Sequence, residues 1–79
     1  MSESEVELLL DDVDTIRQRA LQSLDEAEWK AWDSLSRYKF LMFGYWVGVW
    51  VHLNRVSGAL RPNPWRCLVQ AARAKKESL

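Results

Sequence analysis

Residues 40–53 read FLMFGYWVGVWVHL, fourteen positions without a formal charge when His52 is counted neutral. Eleven of them are apolar or aromatic and two more are glycines four apart. On a helix such a run is apolar on every side, and a helix of that kind must be covered all round. The chain has only 79 residues with which to do so. A single domain of this size buries roughly 60–65% of the surface its unfolded chain exposes, so its core is thin. Small domains are reinforced by disulfides, a metal or assembly. Cys67 is the only cysteine and His52 the only histidine, which excludes an internal disulfide and a conventional Cys/His zinc site. Assembly, or docking on a partner, is the reinforcement left.

Three glycines and two prolines punctuate the chain, and no run alternates apolar and polar residues as a half-buried strand would. The expected fold is all-α, one small helical domain over 1–79. Ser4 with Glu7 makes a capping box for a first helix over about 4–23. Its apolar stripe is Val6, Leu9, Val13, Ile16, Ala20 and Leu24, with Leu10 beside it. Glu5, Glu7, Asp11 and Asp12 suit the positive end of that helix. A break is placed at 23–25, where Ser23 with Glu26, or Asp25 with Glu28, would cap a new start. No glycine or proline enforces it, so a bend or a continuous helix stays open. The second helix is expected over about 25–56, closed by Gly58 in the left-handed region. Asn63 followed by Pro64 reads as a cap and first residue of a third helix over about 64–76. That helix carries Trp65, Leu68, Val69 and Ala72 on one side.

Three coverings compete for residues 40–53. A lipid span needs about 20 apolar residues, and a run of 10–14 is more often buried or interfacial. Fourteen residues rise about 21 Å against a hydrocarbon core of about 30 Å. Trp46 and Trp50 would also lie mid-span, away from the headgroups tryptophan favours. The chain's own first and third helices can cover two sides and leave at least one open. A second protein surface completes the set. Gly44 and Gly48 form a G-x-x-x-G pair that lets another backbone come close. Trp46 and Trp50 share a face, and tryptophan is enriched among interface hot spots. Upstream, Trp29 and Trp32 either pack on the first stripe or form a partly exposed platform. The expected arrangement is a homodimer built on the second helix, and the expected protein-interface residues are Gly44, Trp46, Gly48, Trp50, Trp29 and Trp32.

The formal net charge of zero hides a division. Residues 1–28 hold nine acids and two bases, and residues 29–79 hold nine bases and two acids. Either the two fields cancel by packing, or one end meets a charged partner. Arg61, Arg66, Arg73, Lys75 and Lys76 make a basic C-terminal surface, and Trp65 could stack on a base. Nucleic acid is the lesser reading, because the acidic first helix would repel phosphate. The link before the third helix is also too long for a helix-turn-helix. No catalytic triad, metal cluster, phosphate loop or nucleotide fingerprint occurs, so no enzyme and no cofactor is expected. The acidic N-terminus is unlike a secretory signal, and a lone thiol suits a reducing cytosol. The expectation is a non-catalytic, cytoplasmic, homodimeric interaction module that binds an unidentified protein. Small, motif-poor helical proteins of this kind serve as accessory or inhibitory factors, including those carried by phages and mobile elements. An anti-defence inhibitor is one concrete version. A small membrane protein using 40–53 as a short span, and a nucleic-acid-associated protein, are the alternatives.

Overall fold

The computed structural model describes residues 2–79, with the side chains of Leu8, Leu10 and Asp11 left out. Leu10 beside the first stripe and Asp11 among the acids of the helix start therefore lie outside the described side chains. Among the described residues there are three helices and no strand: α1 (Glu3–Ser36), α2 (Phe40–Val56) and α3 (Arg66–Ser78). A capping box is present, but it is Ser2 with Glu5, two residues earlier than expected. Ser2 Oγ accepts from Glu5 N at 3.4 Å, and Ser2 N donates to Glu5 Oε2 at 3.2 Å. Ser4 instead sits inside the helix, its hydroxyl 3.1 Å from that of Ser2.

The break expected at 23–25 does not exist; α1 runs through it for 34 residues. The helix stops at 37–39 instead, cutting the expected second helix in two. Tyr38 takes a left-handed conformation, φ 61°, although it is not glycine. Lys39 N donates to Ser34 O at 2.9 Å and Tyr38 N to Leu35 O at 3.1 Å. These are the 6→1 and 5→2 bonds of a Schellman stop, with Tyr38 where glycine is usual. Packing explains the location. The turn folds α2 back antiparallel on α1, so that the small residues Ala27 and Ala31 meet the bulky Trp46 and Trp50 side of α2. On one continuous 25–56 helix these residues could never touch.

The buried core is Leu24, Ala27, Ala31, Trp50 and Trp65, with Ser34 the one buried polar residue among those described. Leu21, Phe43, Trp46, Val47, Val49, Leu53, Ala59 and Leu68 pack against it. Trp65 is the keystone, at 3% exposure. Its ring centroid lies 5.4 Å from Trp50, 5.9 Å from Trp32 and 6.1 Å from Phe43, edge-on to Trp50 and Phe43. Such tilted aromatic contacts add about 0.5–1.5 kcal/mol per pair beyond area burial.

The segment 57–65 delivers Trp65 to this position. Gly58 closes α2 at φ 72°, as expected of a glycine there. Asn54 then grips the backbone of Arg61 with both side-chain atoms: Oδ1 accepts from Arg61 N at 2.8 Å, and Nδ2 donates to Arg61 O at 3.0 Å. Asn63 Oδ1 accepts from Trp65 N at 2.8 Å. Asn63 therefore caps a turn, and α3 begins two residues beyond the expected Pro64. The cover over α2 comes from this loop rather than from α3. Only Leu68 of α3 packs on the core.

The result is elongated. Its principal extents are 65 × 23 × 13 Å and its radius of gyration is 17.6 Å, against about 11.6 Å for a compact chain of this length. Its accessible surface is 6601 Å², against about 5,000 Å² for a compact monomer of this mass. Three exposed features stand out: the described residues of 3–19 on α1, the outer side of α2, and α3 apart from Leu68.

Candidate interaction surfaces

At about 100° per residue, Trp50, Phe43, Trp46 and Leu53 fall on the side of α2 that meets α1. Leu41, Gly44, Tyr45, Gly48 and His52 fall on the other. Burial follows that division. Trp50 is 2% exposed and Trp46 is half-buried, with Lys30 Nζ 4.5 Å from its ring centroid. Leu41 is 91% exposed, and Tyr45, Gly44, Gly48 and His52 are exposed with it. Beyond the adjoining residues and the helix's own backbone, no heavy atom lies within 4 Å of where a Cβ would sit at Gly44 or Gly48. The six residues expected at an interface thus do not form one patch. The two glycines face outward, Trp50 is enclosed by its own chain, and Trp46 borders both environments.

Trp29 and Trp32 belong to a different surface, on α1. With Asp25, Glu28, Asp33 and Ser36 they line a shallow recess of about 540 Å³. Trp29 is 67% exposed. Trp32 donates its indole N–H to Glu28 Oε2 at 3.2 Å and leans on Trp65. The acids around the two rings are already engaged: Asp25 Oδ1 lies 2.6 Å from Arg61 Nη1, and Asp33 Oδ1 lies 3.5 Å from Arg37 Nε. The sequence signal for this recess was the spacing 25, 28, 29, 32, 33, 36, one face of one helix. From the sequence Trp29 and Trp32 read as a platform, and Asp25 with Glu28 as a helix cap; the recess joins these acids and Asp33 to the two rings.

The basic set is also divided. Arg61 is tied to Asp25 across the fold, while Arg66, Arg73, Lys75 and Lys76 are exposed on α3. Trp65 lies in the core, so as folded it offers no face on which a base could stack. Cys67 is exposed at the start of α3, and His52 is on the outer side of α2.

A third surface was seen only in part from the sequence. Val6, Leu9, Val13 and Ile16 form the stripe expected of the first helix, but all four are exposed. The same stripe continues into Leu24, Ala27 and Ala31, which α2 covers. The placement of the break concealed this. A first helix ending at 23 could have been covered whole, whereas a helix running to 36 spends its C-terminal half on α2 and leaves its N-terminal half bare.

No described helix is long and apolar enough to cross a membrane; α2 has 17 residues. Comparison with family models, curated proteins and solved structures finds no match to this chain.

Proposed function

We propose that the protein is a non-catalytic helical interaction module that works as a homodimer, an accessory or inhibitory factor whose action is to bind another protein. The observation that carries the self-association is the open Gly44–Gly48 face. Glycine inside a helix costs about 0.5–1 kcal/mol relative to alanine. Within this chain nothing offsets that cost, because neither glycine makes room for a neighbouring side chain. A second helix backbone packed across the face would, since small residues let two backbones approach closely. Leu41 and Tyr45 beside the glycines supply apolar surface for such a contact. With α2 of a second copy in place, the apolar run 40–53 is covered on both sides.

Binding to a further protein would use the recess around Trp29 and Trp32, where exposed indole rings sit among carboxylates. Tryptophan is the side chain most often dominant in protein interfaces. The test of the dimer is mass in solution by light scattering. Wild type should show twice the 9.3 kDa chain mass. Gly44→Leu and Gly48→Leu should shift it toward the single chain by steric overlap, more than the alanine variants do. An unchanged mass for both leucine variants overturns the reading.

A further inference from the structure

We infer that the exposed N-terminal half of α1 is the docking site for α3 of a second copy of this chain. Three observations meet here. The first is the bare stripe Val6, Leu9, Val13 and Ile16, along seventeen residues (3–19) whose described side chains are all exposed. They give about 25 Å of free helix. The second is α3, a thirteen-residue helix, about 20 Å long, whose apolar side (Leu68, Val69, Ala72) touches the core only through Leu68. The third is charge. Residues 3–19 carry six acidic and two basic side chains; residues 66–78 carry four basic and one acidic.

Complementarity selects this occupant over a second α1. Two α1 segments would bring a net −4 against a net −4, whereas α3 brings +3 to −4. The distribution also sets the direction. The acids of α1 cluster toward its N-terminus, with Arg17 and Arg19 at the far end. The cations of α3 cluster toward its C-terminus, at Arg73, Lys75 and Lys76. Antiparallel packing brings the two clusters together and aligns the helix dipoles favourably. In that register Leu68 lies opposite Val13 and Ala72 opposite Leu9. Lys75 then comes on the edge that carries Glu5, and Lys76 and Arg73 on the edge that carries Glu3. The contact uses neither glycine of α2. With three apolar side chains and a few exposed ion pairs from α3, it is captured by cross-linking but does not hold mass in dilute solution, so it stands or falls separately from the α2 dimer.

Two full-length chains of different mass test it, each with Cys67→Ser and one new cysteine: Ala72→Cys in the first, Leu9→Cys in the second. Both sites are exposed, so folding is undisturbed. Each chain has a single thiol, so every cross-link is between copies. Mild oxidation of the mixture should give mainly the mixed 72–9 disulfide, well above a guanidinium-unfolded control. Arg73→Glu, Lys75→Glu and Lys76→Glu in the first chain should cut its yield roughly five- to tenfold, the scale of a few exposed ion pairs. Glu3→Lys and Glu5→Lys in the second chain should restore it. A mixed yield no higher than the unfolded control overturns the proposal, as does a yield indifferent to the α3 reversal or a predominance of 9–9 links. Adding Gly48→Leu should leave the mixed yield unchanged; loss of it with that substitution would make the cross-link a by-product of the α2 contact and overturn an independent site.

Discussion

Trp65 meets Trp50 edge to face, ring centroids 5.4 Å apart and planes at 85°. One residue comes from the middle of α2 and the other from the loop that follows it, and α1 closes over both. Removing Trp65 should therefore undo more than one contact. Trp→Ala in a core costs about 3–5 kcal/mol, a large part of the stability of a domain this small. Trp65→Ala should unfold the loop and the α1–α2 hairpin together, seen as loss of near-UV circular dichroism. Trp65→Phe should fold with a reduced urea midpoint. Trp29→Ala, at an exposed ring, should change the unfolding free energy by no more than about 0.5 kcal/mol. Equal effects at 29 and 65 would contradict the placement of Trp65.

Tyr38 carries backbone strain at a position where glycine would carry none. A non-glycine residue in the left-handed region costs on the order of 1–2 kcal/mol, and its exposed side chain makes only an edge contact with Phe40, 6.2 Å between centroids. Tyr38→Gly should stabilise the hairpin by roughly 1 kcal/mol, read as a rise in the thermal midpoint. Tyr38→Val, β-branched at positive φ, should lower it. A fall with glycine would mean that the ring matters more than the backbone it distorts.

This same turn marks where sequence reading reached its limit. Helix content, the α2 terminus at Gly58 and the apolar stripe of α1 follow from local chemistry, namely periodicity and a residue suited to positive φ. The turn at 37–39 has no such signal, because Tyr38 is held left-handed by tertiary packing against its intrinsic preference. Capping pairs at 23–28 are locally good, yet a continuous α1 lets Leu24, Ala27 and Ala31 face Trp50, and burial outweighs a cap. The outward glycines of α2 were legible as a pair. That Trp50 turns inward while they turn outward follows from helical phase, and the misplaced break hid which face α1 would take.

Asn54 predicts an asymmetry between two polar contacts to the same loop. Its amide makes two part-buried hydrogen bonds to the Arg61 backbone, and truncation would leave both groups unpaired, at about 1–3 kcal/mol. The Asp25–Arg61 ion pair is shorter, 2.6 Å, but largely exposed, and such pairs contribute about 0–1 kcal/mol. Asn54→Ala should therefore lower the urea midpoint clearly more than Asp25→Ala. Asn54→Asp, which keeps the acceptor and loses the donor, should fall between wild type and alanine. The reverse order would show the ion pair, not the amide, holding the loop.

Gly44 and Gly48 predict opposite signs for folding and for assembly. The space around each is open within the chain, so alanine meets no obstacle and raises helix propensity by about 0.5–1 kcal/mol per site. In dilute solution, where single chains predominate, Gly44→Ala and Gly48→Ala should each raise the thermal midpoint. At high concentration the added methyl groups stand between two α2 backbones and should weaken association, seen as mass falling at a higher protein concentration than in wild type. The sign reversal separates a helix that carries glycine for contact from one that carries it idly. A higher midpoint with unaltered association would leave the outer face of α2 without a role in dimer formation.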